Sequence, residues 1–202
     1  MSNIFKPLPP EWTVERLVEE TSKSTSLWIP AFSICFIDTE GRVALTKRNV
    51  GTPFLPRALL IEPDYEKVAE RGWRSTIDAT LLRRTKSTFG PSAVFDARNA
   101  TIVPNVARIE KDIDLRDSAR WPLAKGIALF PVAGCVFVDR IKPNPKGQPI
   151  VVQWSEPNEA IKMLSIQRDH DGSLSAVSQV SADCIEISLD AIAQAVATPT
   201  SR

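Results

Sequence analysis

The stretch GRVALTKRNVGTPFLPRALLIEPDYEKVAERGWRSTIDATLLRRT, Gly41 to Thr85, runs from an apolar strand through a proline-containing loop into a long charged helix. Val43 to Thr46 carry the strand pattern, and no proline interrupts the chain from Tyr65 to about Lys86. Asp64, just after Pro63, is placed to cap a helix running to Lys86. Tyr65, Val68, Ala69, Gly72, Thr76 and Ala79 share one face of it, the expected core face. Trp73, Ile77 and Leu81 recur at i,i+4 on another face. A helix with two apolar faces is either sandwiched within its own chain or offers one face to a second chain. Gly72 weakens such a helix by about 1 kcal/mol relative to alanine and marks a kink or a close packing contact.

Upstream, TVERLVEETSK spaces Val14, Leu17 and Val18 as an amphipathic helix capped by Thr13. Ala31 to Ile37 is a continuous small or apolar run, DTEG supplies turn chemistry, and Val43 to Thr46 returns, so the two runs form a hairpin. Downstream, AVF, ATIV, GIALFPVAGCVFV and PIVVQW are strand candidates, and NPKG, Asn144 to Gly147, is expected to join the last two as a second hairpin. SEPNEAIKML has Ser155 as expected N-cap, Pro157 in the first turn, and Ala160, Ile161 and Leu164 on one side. The tail reads as a hairpin across DHDG, a strand CIEIS and a final helix LDAIAQAVA. This order implies α+β or mixed α/β architecture, a mixed central sheet between helices.

The chain has 202 residues, 43% hydrophobic and 24% charged, with net charge +1. That is the composition of one folded domain, and it demands neither a nucleic-acid backbone nor an anionic membrane. No apolar run approaches a membrane span or a signal-peptide core, so a cytoplasmic setting is expected. Cys35, Cys135 and Cys184 form no CxxC pair, and His170 is the single histidine, so neither a disulfide scaffold nor a structural zinc is indicated. All three cysteines read as small core residues.

The order of elements resembles the Nudix hydrolase fold. The resemblance is carried by AFSICFIDTEGRVALTKR as opening hairpin, TPFLPRALLIEPD where the family has a Leu-Pro-Gly-Gly loop, and VVQWSEPNEAIKML as closing strand and helix. It implies a Nudix-like domain over 30–164, preceded by a helical extension over 1–29 and followed by a C-terminal hairpin and helix over 165–202. The family's box places glutamates one turn apart on a helix, where they converge on magnesium. Leu55 and Pro56 match, but Arg57 and Ala58 replace the glycines. Counted without gaps, Asp64 takes the first acidic position, Gly72 and Trp73 take Arg-Glu, and Thr76 and Ile77 take the Glu-Glu pair. Shifted by two residues, Arg74 and Asp78 match, while Ser75 and Ala79 stand at the other acidic positions. No register restores three carboxylates.

The expectation is a non-catalytic Nudix-like binding or interaction module with no cofactor. Arg57, Arg71 and Arg74 are the candidate ligand-binding residues, for a nucleotide or other phosphorylated ligand. Trp73, Ile77 and Leu81 are the candidate interface, for self-association or a protein partner. The enzyme alternative is a divergent magnesium-dependent pyrophosphohydrolase using Glu62, Asp64, Glu66 and Asp78; a third reading is a structural scaffold. His170 sits in RDHDGS between turn-forming aspartates, which explain the segment without chemistry.

Overall fold

The computed structural model describes residues 4–48, 52–59, 68–97, 99–111, 121–138 and 150–197. The elements are β1 (Lys6–Pro7), α1 (Val14–Ser22), β2 (Trp28–Ile37), β3 (Val43–Arg48), β4 (Arg57–Leu59), α2 (Val68–Phe89), β5 (Val94–Phe95), β6 (Thr101–Ile102), β7 (Val106–Lys111), β8 (Gly126–Phe137), β9 (Ile150–Ser155), α3 (Pro157–Ser165), α4 (Ala176–Ile187) and α5 (Leu189–Ala197). The sheet runs β1-β7-β8-β2-β3-β9, with β4 also paired to β2, and β5 and β6 to β8.

At its centre β2 and β8 run parallel, in register from Trp28↔Gly126 to Ile37↔Cys135, and both are buried almost end to end. Their unbroken apolar sequences follow from that position, because a strand covered on both faces has no solvent side to alternate toward. The other pairings are antiparallel, so the sheet is mixed. Even-numbered β2 residues face α2: Phe36 meets Phe89 edge-on at 5.2 Å between ring centres. Odd-numbered ones face α4, where Cys35 approaches Cys184. Helix α1 packs against β2 and α2, α4 against β2 and β8, and α5 against β8, so the sheet lies between helical layers. One apolar core includes Phe5 and Leu17 from the N-terminal end and Ile185 and Ile192 from the C-terminal end. On the α2 face, Gly134 leaves room for Phe95, whose ring would lie 2.7 Å from an added Cβ.

The first hairpin, the Thr13 cap and the last helix match the sequence reading; Thr13 Oγ1 accepts from the Arg16 N–H at 3.2 Å. Four details differ. The expected Asp64–Lys86 helix is α2, Val68–Phe89, and Asp64 lies outside the described residues. Strand β9 pairs with β3 rather than forming a hairpin with β8, since β2 and β3 intervene; NPKG itself lies outside the described residues. CIEIS belongs to helix α4, where Val180, Cys184 and Ile185 recur at helical spacing against the sheet. The N-cap of α3 is Glu156 rather than Ser155, with Pro157 the first helical residue.

Gly72 breaks α2, with φ 74° and ψ 162° inside the helix, and a Cβ there would meet nothing within 4 Å. The kink is present and the close contact is not. That backbone region is open almost only to glycine, so the sign expected from helix propensity reverses. Gly72→Ala is expected to destabilise by about 1–3 kcal/mol despite the open space, read from urea denaturation. A gain in stability would mean that the helix simply straightens.

Candidate functional site

The kink sets a new phase for the helix beyond it. From Trp73 onward the inward face is Thr76, Ile77, Thr80, Leu81, Thr85, Thr88 and Phe89, all buried. The threonines enter the core because their hydroxyls donate to carbonyls one turn back: Thr76 to Gly72 at 3.2 Å, Thr80 to Thr76 at 3.0 Å, Thr85 to Leu81 at 2.9 Å. Ile77 and Leu81, expected as an interface, are therefore core residues of their own chain with no exposed surface, and Trp73 is half-buried against the same core. The interface stripe is corrected accordingly. Ala79, expected inside, is exposed.

Trp73 and Arg74 open the straight part of α2 onto a cavity of about 470 Å³. Its other walls come from the start of α1, the segment from Ala100 to Asn105, and Phe130 on β8. Trp12, Trp73 and Phe130 give it aromatic surface, and Thr13, Glu15, Thr101 and Asn105 give it polar groups. The size lies within the roughly 300–1,000 Å³ of small-molecule sites. One backbone bond and one ring contact adjoin the rim: the Leu8 N–H donates to the Asn105 carbonyl at 2.9 Å, and Trp12 leans on Trp28 at 6.3 Å between ring centres.

Arg74 lies in this wall and Arg57 does not. The Arg74 guanidinium donates from Nη2 to the carbonyls of Ala100 at 2.8 Å and Ala97 at 3.2 Å, and from Nε to Asp78 at 3.1 Å. It thereby fastens α2 to the segment leading into β6. Burial pushes the Asp78 carboxyl above the usual carboxylate range, and Arg74 offsets part of that rise. Arg57 pairs with Ser33 in the sheet, which turns its side chain to the α4 face, where Nη1 sits 3.4 Å from both oxygens of Glu110. Arg108 reaches the same carboxylate at 2.9 Å. Arg71 is exposed just before the kink. The three arginines thus do not converge. Arg74→Lys, which keeps the charge but not the fork, is expected to cost about 1–3 kcal/mol in urea denaturation by orphaning these carbonyls. No loss would mean the ties are incidental.

Magnesium, which the fold resemblance implies, needs several oxygen ligands. In the ungapped register those positions hold Trp73, Thr76, whose hydroxyl is committed to Gly72, and Ile77, which has no donor atom. In the shifted register Asp78 is the lone carboxylate, paired with Arg74, beside Ser75 and Ala79. Among the described residues no group of three or more His, Cys, Asp and Glu is placed to hold a metal ion. These residues do not fit the ion. Glu62 and Glu66, like Asp64, lie outside the described residues. His170 is exposed at the tip of the short Arg168↔Leu174 hairpin. No described helix is long and apolar enough to cross a membrane.

The cavity was not foreseen from the sequence, because its walls come from segments far apart in the chain. Of its aromatic residues, Trp73 alone stood out in the sequence, and then as part of the expected interface stripe. No protein-family model matches the chain, and no curated protein does. Among solved structures it is similar to the crystal structure of Tm1382, provisionally described as a Nudix hydrolase, with 14% identity and a TM-score of 0.51. The match covers 92% of this chain and 88% of that one. At such identity the likeness concerns the fold alone: this chain has a Nudix-like α+β fold with a mixed sheet between helices.

Proposed function

We propose that the chain is a Nudix-like binding domain that holds a nucleotide or a similar flat, phosphorylated ligand without hydrolysing it. The observation that carries this reading is the aromatic-walled cavity at the start of the straight part of α2. Trp12 and Trp73 offer stacking surface. The N-terminal turn of α1 and Arg74 favour the anionic end of such a ligand, offset in part by the Glu15 carboxylate in that turn and by the Asp78 paired with Arg74. Of the three arginines first expected to bind, this reading keeps Arg74 as a wall of the cavity and leaves Arg57 to its sheet-face ion pair. A cytoplasmic setting and binding without a cofactor belong to the same proposal.

Tryptophan fluorescence tests it directly. Adding a nucleoside diphosphate derivative is expected to quench emission saturably, and Trp73→Ala is expected to weaken binding about tenfold, from roughly 1–3 kcal/mol for one base–aromatic stack. A flat titration into the millimolar range, with the protein folded, would remove the nucleotide from the proposal.

A further inference from the structure

Cys35 on β2 and Cys184 on α4 are fully buried, and their sulfurs stand 4.0 Å apart across the seam between sheet and helix, 149 residues apart in the chain. Neither belongs to the cavity. A buried cysteine is ordinarily a small apolar filler, but the surroundings of this pair are polar. Ser33 and Ser188 are buried beside them, and the hydroxyl of each has no hydrogen-bond partner among the described residues. Orphaned donors in a core are costly unless an acceptor is present for part of the time. A thiolate is such an acceptor. For Cys184 burial is the largest influence and raises the thiol, yet the neighbouring Cys35 thiol, the nearby polar groups of Ser33 and Ser188 and the charge of Arg57 together bring it below the ordinary thiol value. Cys35 is held well above it, first by its hydrogen bond to Cys184 and then by burial. In the structure the Cys184 sulfur donates to the Ser33 carbonyl at 3.7 Å, so it reacts only once that proton is lost, with Cys35 at 4.0 Å as the resolving sulfur.

We infer that Cys35 and Cys184 form a thiol–disulfide site that hydroperoxides oxidise, tying α4 covalently to the central strand. The Cys184 thiolate attacks one oxygen of the hydroperoxide and breaks the O–O bond. The departing alkoxide takes a proton and leaves as alcohol, or as water when the oxidant is hydrogen peroxide. Cys184 is then a sulfenic acid. The Cys35 sulfur attacks the Cys184 sulfur, the S–O bond breaks, and the hydroxide leaves with the Cys35 proton as water. Two thiols give up two electrons to one hydroperoxide, and the sulfurs close from 4.0 Å to about 2.05 Å. Because both sulfurs are covered, reaction waits on opening of the α4 seam and is slower than at a free thiol.

The test is peptide mapping by mass spectrometry of the full chain after treatment with hydrogen peroxide, with remaining thiols blocked under denaturing conditions. The expected product is a Cys35–Cys184 linked peptide, two hydrogens lighter than the separate thiol peptides, in wild type and in Cys135→Ala. The oxidised protein should unfold at higher urea, and dithiothreitol should reverse the shift. In Cys35→Ala the link should vanish and a sulfenic acid at Cys184 should be trapped by dimedone. If that variant fails to fold, mapping of wild type and Cys135→Ala decides alone. Oxidation confined to Cys135, a link between two chains, or a Cys35–Cys184 link formed only after unfolding would each overturn the inference.

Discussion

Phe89→Ala lowers stability by about 3–5 kcal/mol in urea denaturation, the upper range for truncating a buried aromatic ring. Phe89 is the last residue of α2, has no exposed surface, and joins three elements. Its ring meets Phe36 of β2 edge-on at 5.2 Å and stacks on Trp154 of β9 at 5.8 Å with only 12° between planes. Phe36 in turn meets Phe95 edge-on at 5.8 Å. Removing the ring leaves a cavity that rigid sheet residues cannot fill, and it also removes aromatic contacts worth about 0.5–1.5 kcal/mol each. Leu82, at the exposed edge of the same helix, is the control, and its replacement by alanine is expected to change stability by about 0.5 kcal/mol or less. A Phe89→Ala loss no larger than the control's would mean that the end of α2 is not anchored through this ring.

The same helix shows what the sequence could and could not convey. Its existence, its approximate end and the break at Gly72 were legible, because helix formers without proline and a single glycine leave a local signature. The identity of its buried face was not. Carrying one helical phase through Gly72 set Trp73, Ile77 and Leu81 apart from the core, whereas the positive φ of Gly72 ends that phase and a new one begins. The threonines that complete the inward face look polar in a sequence; their hydroxyls become acceptable in a core only because each finds a carbonyl one turn back. Strand β7 was missed for a related reason. Its charged Arg108, Glu110 and Lys111 leave no apolar run to mark a strand, yet Arg108 and Glu110 face the sheet's α4 side and satisfy each other and Arg57. Partners distant in sequence leave no local pattern, and this holds equally for the β3–β9 pairing and for the cavity. The missing carboxylates were legible because an absence of residue types needs no fold to be seen.

Those missing carboxylates set the second large effect. With magnesium or manganese, the purified protein is expected to release product from nucleoside diphosphate derivatives at least about a thousandfold more slowly than a working metal-dependent hydrolase would, since losing the charge that offsets metal and phosphates costs several kcal/mol of transition-state stabilisation. The physical reason lies in α2. Thr76 and Ile77, at the paired glutamate positions in the ungapped register, are 3% and 0% exposed and are packed into the core, so even a rotamer change could not bring a donor to a phosphate. Asp78, the acid that the shifted register keeps, is bound to Arg74, and Arg74 is bound to the carbonyls of Ala97 and Ala100, so recruiting it to a metal would release the segment that walls the cavity. Restoring glutamate at Thr76 or Ile77 is correspondingly expected to unfold the domain before it creates a site, because an unpaired carboxylate in this core carries a penalty of several kcal/mol. Phosphate release at an enzyme-like rate, abolished by Asp78→Asn or Asp64→Asn, would overturn the binding-domain proposal and put the divergent pyrophosphohydrolase in its place.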